Sequence, residues 1–447
     1  MPTALIILAA GQGSRMQSDR PKVLHEVAHA PLLIHALRAA ESLAPESIVV
    51  VTGHGAEAVE KALDGTGAVT VRQTERNGTA HAVAQARPAL QDFEGDAVVL
   101  YGDTPFIRPE TLTRMAEMRA SGADVVVLGF EAADPGRYGR LVAQGDRLER
   151  IVEAKEATPE ELAITLCNSG VIAADTQTLF TLIDQVSNDN AAGEYYLTDI
   201  PALARAARLS ARVVICPEAE TLGVNTRADL AAAEAAFQAR ARAYAMANGA
   251  TLTAPETVFF AHDTIIGRDV TIEPHTVFGP GVTVESGATI RAFSHLEGCH
   301  VSEGCVLGPY ARLRPGAELD RNVKVGNFVE VKAAQVQEGA KINHLSYVGD
   351  AEIGPRANIG AGTITCNYDG VFKHRTQIGA DAFIGSNTAL VAPVTVGEGA
   401  ITGSGSVITM DVPDGDLALA RSKQVNKDGL AARLMAKLRA AKARKTN

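Results

Sequence analysis

Beyond about residue 260 the chain keeps a period of six. Apolar residues fall at Ile266, Ile272, Phe278, Val284, Ile290 and Leu296, then at Leu313, Leu319, Val325 and Val331, and later at Ile378, Ile384, Leu390, Val396 and Ile408, with Thr402 in phase. Glycine often takes the next position, as in "IG", "FG" and "VG". Such a repeat is the signature of a parallel β-helix, in which each hexapeptide forms one face of a coil and its aliphatic residue points into a shared core. The absence of tryptophan and an aromatic content of only 4% suit closely stacked sheets. The phase slips between Val331 and Ile342 and between Val348 and Ile353. It breaks across "GAGTITCNYDGVFKHRTQ", between Ile359 and Ile378. An inserted loop is the expected cause, and loops on a rigid scaffold tend to carry function.

The first half has another pattern. Up to about residue 225, short continuous apolar runs ("TALIILAA", "SIVVVTG", "AVTVRQ", "DAVVLYGD", "DVVVLGFEA", "NSGVIAAD", "ARVVICP") are separated by helical patterns such as "LLIHALRAAESL" and "PETLTRMAEMRASG". Continuous rather than alternating strands, interleaved with helices, indicate a mostly parallel sheet covered on both faces, a doubly wound α/β fold. Between the halves lies "NTRADLAAAEAAFQARARAYAMANG", with a capping-box-like start at Thr226 and Asp229 and a stop at Gly249. It reads either as a rigid spacer or as a helix packed on the first domain. The expected division is a domain over 1–226, a linker helix over 227–247 and a β-helix with a C-terminal tail over 248–447.

A formal net charge of -10 argues against nucleic acid or an anionic membrane surface as partner. Five widely spaced cysteines with no C-x-x-C pair suggest neither a disulfide framework nor a zinc site. The opening apolar run is too short for a leader or a span, so a cytoplasmic protein without membrane insertion is expected.

The stretch "LAAGQGSRMQSDRPKVL", Leu8 to Leu24, follows a buried strand directly, at the end where α/β sheets bind ligands. Gly11 and Gly13 let backbone N–H groups approach an anion, and Arg15, Arg20 and Lys22 supply cations. Met16 stands where a dinucleotide fingerprint needs its third glycine, and the Walker pattern is not met. A plain turn is the alternative; the cations favour a phosphate site.

These motifs, with "QTERNGTAHAV", "YGDTPF", "RLRPGAEL", "NFVEVK", "GAGTITCNYDG" and "LVAPVTVG", resemble nearly end to end the bacterial bifunctional family of N-acetylglucosamine-1-phosphate uridyltransferase / glucosamine-1-phosphate N-acetyltransferase. The resemblance implies a left-handed β-helix, a homotrimer and a two-step synthesis of UDP-N-acetylglucosamine for peptidoglycan and lipopolysaccharide precursors. Acetyl-CoA first acetylates glucosamine-1-phosphate, and UTP then donates UMP.

For uridyl transfer the resemblance implies Gly11, Gly13, Arg15 and Lys22 at the UTP phosphates, Arg15 and Lys22 with catalytic roles. It further implies Leu8, Tyr101 and Gly102 in the nucleotide pocket, Gln73, Gly78 and Thr79 at uracil, and Gly139, Glu153 and Asn168 at the sugar. Asp103 and Asn225 would hold Mg²⁺, although an aspartate at a strand end is otherwise a turn or cap residue. For acetyl transfer it implies His344 as the base, where the plain alternative is a corner histidine bonded to backbone. Arg314, Lys332, Tyr347, Asn358 and Lys373 would bind the sugar phosphate. Ala361, Asn367, Tyr368, Ser386, Ser404 and Arg421 would bind acetyl-CoA.

The chain departs from the family pattern at Ser14 (commonly threonine), at "ERN" before Gly78 and at Ser404 (commonly alanine). The basic tail from Lys423 reads as a solvated helix or an aid to the phosphates of coenzyme A. Two rival readings remain: a single-activity nucleotidyltransferase whose β-helix serves assembly or regulation, and a β-helical trimerisation scaffold.

Overall fold

In the computed structural model, which describes residues 2–190 and 192–446, the first apolar run forms strand β1 (Thr3–Ala9), buried on both sides. After a small hairpin, β2 (Glu26–Val27) and β3 (Ala30–Pro31), come β4 (Ser47–Thr52), β5 (Val69–Arg72), β6 (Asp96–Tyr101), β7 (Val125–Glu131), β8 (Arg140–Gln144), β9 (Arg147–Val152), β10 (Leu166–Asp175) and β11 (Ala211–Cys216). Nine of these make one sheet in the order β5-β4-β1-β6-β10-β7-β11-β9-β8. Strands β5, β4, β1 and β6 are parallel, as are β7 and β11. Strand β10 runs antiparallel between β6 and β7.

Both faces are covered because successive residues of one strand enter opposite cores. Ala4 and Ile6 pack with Val83, Leu179 and Phe180, whereas Leu5 and Ile7 pack with Leu33, Leu112 and Met115. The expected doubly wound α/β arrangement is present. The hairpin β8–β9, turning at Gly145 (φ 63°), is an addition to the apolar runs read from the sequence.

The chain divides into two compact units, Met1–Ala241 and Arg242–Asn447, the division falling inside the helix Arg227–Ala247. That helix starts with a reciprocal cap. The Asp229 N–H donates to Thr226 Oγ1 (3.1 Å) and the Thr226 N–H to Asp229 Oδ2 (2.9 Å). Its first half buries Ala233 and Phe237 against Met16, Val27, Phe106 and Val224, so this part is packed on the first unit.

In the second unit the strands stack by hexapeptides. Thr271 pairs with Thr289 and Ile272 with Ile290, 18 positions on, so three hexapeptides close one coil. Ile272, Phe278, Val284, Ile290, Leu296 and Leu313 are fully or almost fully buried. Ile266, in the first coil, is only partly covered. Thr402 is buried in phase, and its hydroxyl accepts from the Gly385 N–H at 3.1 Å, which satisfies the polar group. The recurring glycines have a steric cause: a Cβ at Gly379 or Gly385 would lie 2.5 or 2.4 Å from backbone of the next coil.

The phase slips are short coils. Val331 pairs with Val348 and Ile342 with Ile359, 17 positions apart, one residue fewer than the regular coil. The break is a long one: Ala351 pairs with Thr376, 25 positions on. The surplus forms a projecting hairpin in which the His374 N–H donates to the Asn367 carbonyl (2.8 Å) and Tyr368 bridges Lys373. Asp369 braces it, accepting from the N–H groups of Val371 and Phe372 at 2.8 and 2.7 Å and pairing with His374 at 2.7 Å. These contacts, the His374 pairing first, hold the Asp369 carboxyl down at about 2. The C-terminal helix Leu430–Thr446 is exposed at residues 431–445. Among the described residues no helix is long and apolar enough to cross a membrane.

Candidate active sites

In the first unit, the carboxyl ends of β1 and β6 open on a cavity of about 300 Å³. Leu8, Gly11, Lys22, Gln73, Gly78, Thr79, Tyr101 and Asp103 line it, so eight residues named from the sequence converge there. Gly102 closes the strand end, its N–H donating to the Leu8 carbonyl at 3.0 Å. The Val224 N–H donates to the Asp103 carbonyl at 2.9 Å, which carries Asn225 to the same rim. The Lys22 ammonium donates to the Asp103 carboxylate and, at 3.1 Å, to Asn225 Oδ1. Arg15 donates to Asn225 Oδ1 at 3.0 Å.

Two oxygens thus converge on one cation, a donor set that also fits a divalent metal completed by substrate oxygens. Among the described residues no cluster of three or more His, Cys, Asp or Glu is placed to hold a metal, so a metal here would draw most of its ligands from elsewhere. Gln73 is buried and donates to the Gly78 carbonyl at 3.2 Å. Burial pushes the Tyr101 phenol up, with the Asp103 charge adding to it, so Tyr101 stays neutral at ordinary pH.

The Asn168 N–H donates to the Gly139 carbonyl at 2.8 Å, and Asn168 borders a narrow cleft beside Tyr101. Glu153 accepts from Thr198 Oγ1 at 3.1 Å. Arg20 turns away to Glu26 at 2.6 Å. The sequence reading passed over Arg76 and Glu194, which line the cavity, and Gln12, which accepts from Arg76 at 2.6 Å. Arg76 and Gln12 lie 64 positions apart, so no local pattern reveals their pairing.

The tight turn explains Gly13. Its φ of 63° is left-handed, and a Cβ there would stand 2.6 Å from the Lys22 Cβ. Alanine would cost about 1–2 kcal/mol in the backbone alone and would displace Lys22. For the two activities that the resemblance implies, we expect Gly13→Ala to lower kcat/KM for uridyl transfer about tenfold or more, with acetyl transfer unchanged in the same preparation.

In the second unit, one residue from each successive coil forms a file. The His344 carbonyl accepts from the Gly362 N–H (3.3 Å), the Ala361 carbonyl from the Asn387 N–H (2.7 Å) and the Ser386 carbonyl from the Gly405 N–H (2.8 Å). The Ser404 carbonyl accepts from the Arg421 guanidinium at 3.0 Å. Side by side, therefore, stand His344, Ala361, Ser386, Ser404 and Arg421. Coils stack about 4.8 Å apart, so the file is about 19 Å long.

The strand that follows His344, Tyr347–Ile353, carries part of a cationic cluster. Lys332 lies 3.6 Å from the Asp350 carboxylate, and Asn367 Nδ2 donates to the same carboxylate. Asn367 also reaches the Tyr347 hydroxyl at 3.4 Å. Arg314 is held by Glu330 at 2.8 Å. Lys332 lowers the Lys373 pKa, first by donating a hydrogen bond to the neutral form of the Lys373 amine and then by repulsion between like charges. Two ammonium groups meeting in this way favour an anion between them. Asn358 follows one coil after Lys341, its register partner. Tyr368 is exposed at the hairpin tip.

These features define a class: a nucleotidyltransferase-type α/β unit joined to a hexapeptide-repeat unit. Residues 5–186 match the model of the MobA-like NTP transferase domain. Residues 263–298 and 375–409 match the bacterial transferase hexapeptide (six repeats). The Bifunctional protein GlmU of Jannaschia sp. (strain CCS1) is 65% identical over 443 residues, covering 99% of this chain and 97% of that protein. That of Cereibacter sphaeroides (strain ATCC 17025 / ATH 2.4.3) is 68% identical over 442 residues, 98% and 97% of the two chains. That of Dinoroseobacter shibae (strain DSM 16493 / NCIMB 14021 / DFL 12) is 67% identical over 447 residues, 100% and 99%. This chain belongs to the family of bifunctional GlmU proteins, and its second unit is a left-handed parallel β-helix of hexapeptide repeats.

Proposed function

We propose that the protein makes UDP-N-acetylglucosamine by two reactions in two sites. In the second unit the amine of glucosamine-1-phosphate attacks the thioester carbonyl of acetyl-CoA. The N–C bond forms, the C–S bond breaks, coenzyme A leaves as thiolate, and His344 accepts the amine proton. Arg314, Lys332 and Lys373 hold the sugar phosphate, with Tyr347 and Asn358 as hydrogen-bonding partners of the sugar. Acetyl-CoA lies along the file from Arg421 past Ser404, Ser386 and Ala361, with Asn367 and Tyr368 beside it, so that its thioester ends near His344.

In the first unit a phosphate oxygen of N-acetylglucosamine-1-phosphate attacks the α-phosphorus of UTP and pyrophosphate leaves. Two anions must approach, so the backbone donors of the loop at Gly11 and Gly13 and the charges of Arg15 and Lys22 lower the barrier. Bound at Asp103 and Asn225, Mg²⁺ would supply further positive charge against that repulsion. Gln73, Gly78 and Thr79 read uracil, while Gly139, Glu153 and Asn168 position the sugar. The product would feed peptidoglycan and lipopolysaccharide precursors.

The observation that carries the two-reaction reading is the second site itself. A nucleotidyltransferase with a merely structural β-helix has no need of Lys332 and Lys373 brought together in the same unit as a file of small residues that begins at a histidine. We place the protein in the cytoplasm, a reading supported by its free cysteines, four of them buried. We also propose assembly as a homotrimer through the β-helix. His275, Phe293, Tyr310 and Phe328 stack at 4.9, 4.9 and 5.1 Å, and the last three are about half exposed, an apolar ladder suited to burial between copies.

The test supplies purified protein with glucosamine-1-phosphate, acetyl-CoA, UTP and Mg²⁺. We expect one coenzyme A and one pyrophosphate released per UDP-N-acetylglucosamine. Without UTP the acetylated sugar phosphate should accumulate. Uridyl transfer from added N-acetylglucosamine-1-phosphate with no acetylation would return the reading to a single-activity enzyme.

A further inference from the structure

We infer that Asn327 is a positioning residue for His344, fixing which ring nitrogen is free to take the proton; this rests on the reading of His344 as the base. Asn327 is the coil neighbour of His344 in strand register, and the Leu345 N–H donates to the Asn327 carbonyl at 3.0 Å. Asn327 Oδ1 lies 2.9 Å from His344 Nδ1. An amide oxygen only accepts, so the proton sits on Nδ1 and Nε2 keeps its lone pair for the substrate amine. The backbone of His344 is held as well, because its carbonyl accepts from Ser346 Oγ at 2.8 Å in addition to the Gly362 N–H.

The neighbouring sequence serves the same contact. A Cβ at Gly326 would fall 1.9 Å from the Asn343 carbonyl oxygen, so glycine lets the two coils close where the next residue must reach the ring. The later members of the file, Ala361, Ser386 and Ser404, are shorter than asparagine.

The choice of an amide also matters. The charged groups sharing a recess of about 250 Å³ with Asn327 and His344 are Arg291 and Lys324, both cations, and among the described residues no carboxylate lines it. A carboxylate at position 327 would orient the ring equally well but would favour the imidazolium, which cannot act as a base. Asparagine orients the ring without that electrostatic pull.

The test uses the full chain and steady-state acetyl transfer as a function of pH, with circular dichroism melts to check folding. Asn327→Ala should lower kcat about tenfold or more and leave both KM values within about twofold. Asn327→Asp, close to isosteric, should keep most of kcat at high pH and move the acid limb of kcat/KM upward by about one pH unit. If the alanine variant does not fold, the aspartate variant alone decides. An unshifted acid limb in Asn327→Asp, or an unchanged kcat in folded Asn327→Ala, overturns the inference. His344→Ala, run in parallel, separates the two readings. Wild-type acetylation by that variant overturns the base assignment and this inference with it. Loss of acetylation there, with both Asn327 variants behaving as wild type, overturns this inference alone.

Discussion

His344→Ala should remove acetylation of glucosamine-1-phosphate, lowering kcat about 10²- to 10⁴-fold, the range a general base contributes, while uridyl transfer proceeds at the wild-type rate. The size follows from the chemistry. At neutral pH the sugar amine is largely protonated, and nothing else in the file from Ala361 to Arg421 can accept its proton, since that file holds alanine, two serines and an arginine. The selectivity follows from placement: the ring is exposed, so its removal opens no core cavity. KM for acetyl-CoA should change little, because the file proposed to hold it, from Ala361 to Arg421, does not depend on the ring. Assaying released thiol and pyrophosphate on one preparation checks both halves of the expectation.

Asp103→Ala should do the converse, lowering uridyl transfer about 10²- to 10³-fold with acetyl transfer intact. Asp103 brings its carboxylate to the Lys22 ammonium, and its own carbonyl anchors Val224, the residue before Asn225. Alanine keeps the backbone anchor and removes only the charge. Lys22 is then left with Asn225 as its hydrogen-bond partner, and the oxygen pair suited to a divalent cation is halved. The lysine is 13% exposed and the aspartate 18%, so this is a sheltered pair whose disruption solvent screens poorly. Raising Mg²⁺ should recover little of the loss, because on the proposed reading a ligand rather than the ion is missing.

The β-helix was legible because its core admits one aliphatic residue per face, so the period of six is imposed by packing and can be counted. Even the irregularities were readable: the slips at 331–342 and 348–353 are 17-residue coils, and the break is the braced hairpin at Asn367–His374. Strand direction in the first unit was not legible. "NSGVIAAD" resembles the parallel strands around it because a strand buried on both faces is apolar whichever way it runs. The opening loop could be read from its glycines, of which Gly13 is required by the left-handed turn against Lys22. Gly139, Glu153 and Asn168 could not, since they are ordinary loop and strand-end residues brought in by the β8–β9 hairpin and β10. Arg76 and Asn327 were missed because each is paired with a residue distant in the chain, Gln12 and His344. Arg20, a third cation in the same loop, is instead paired with Glu26, only six positions away.

The central claim is that each unit carries out its own reaction. The most direct measurement mixes the two separately purified variants, His344→Ala and Asp103→Ala, with glucosamine-1-phosphate, acetyl-CoA, UTP and Mg²⁺ and follows UDP-N-acetylglucosamine. Each variant alone should make almost none, and the equimolar mixture should make it at a rate of the same order as wild type, the acetylated intermediate passing through solution. A mixture as inactive as its components, from folded variants, would contradict the claim.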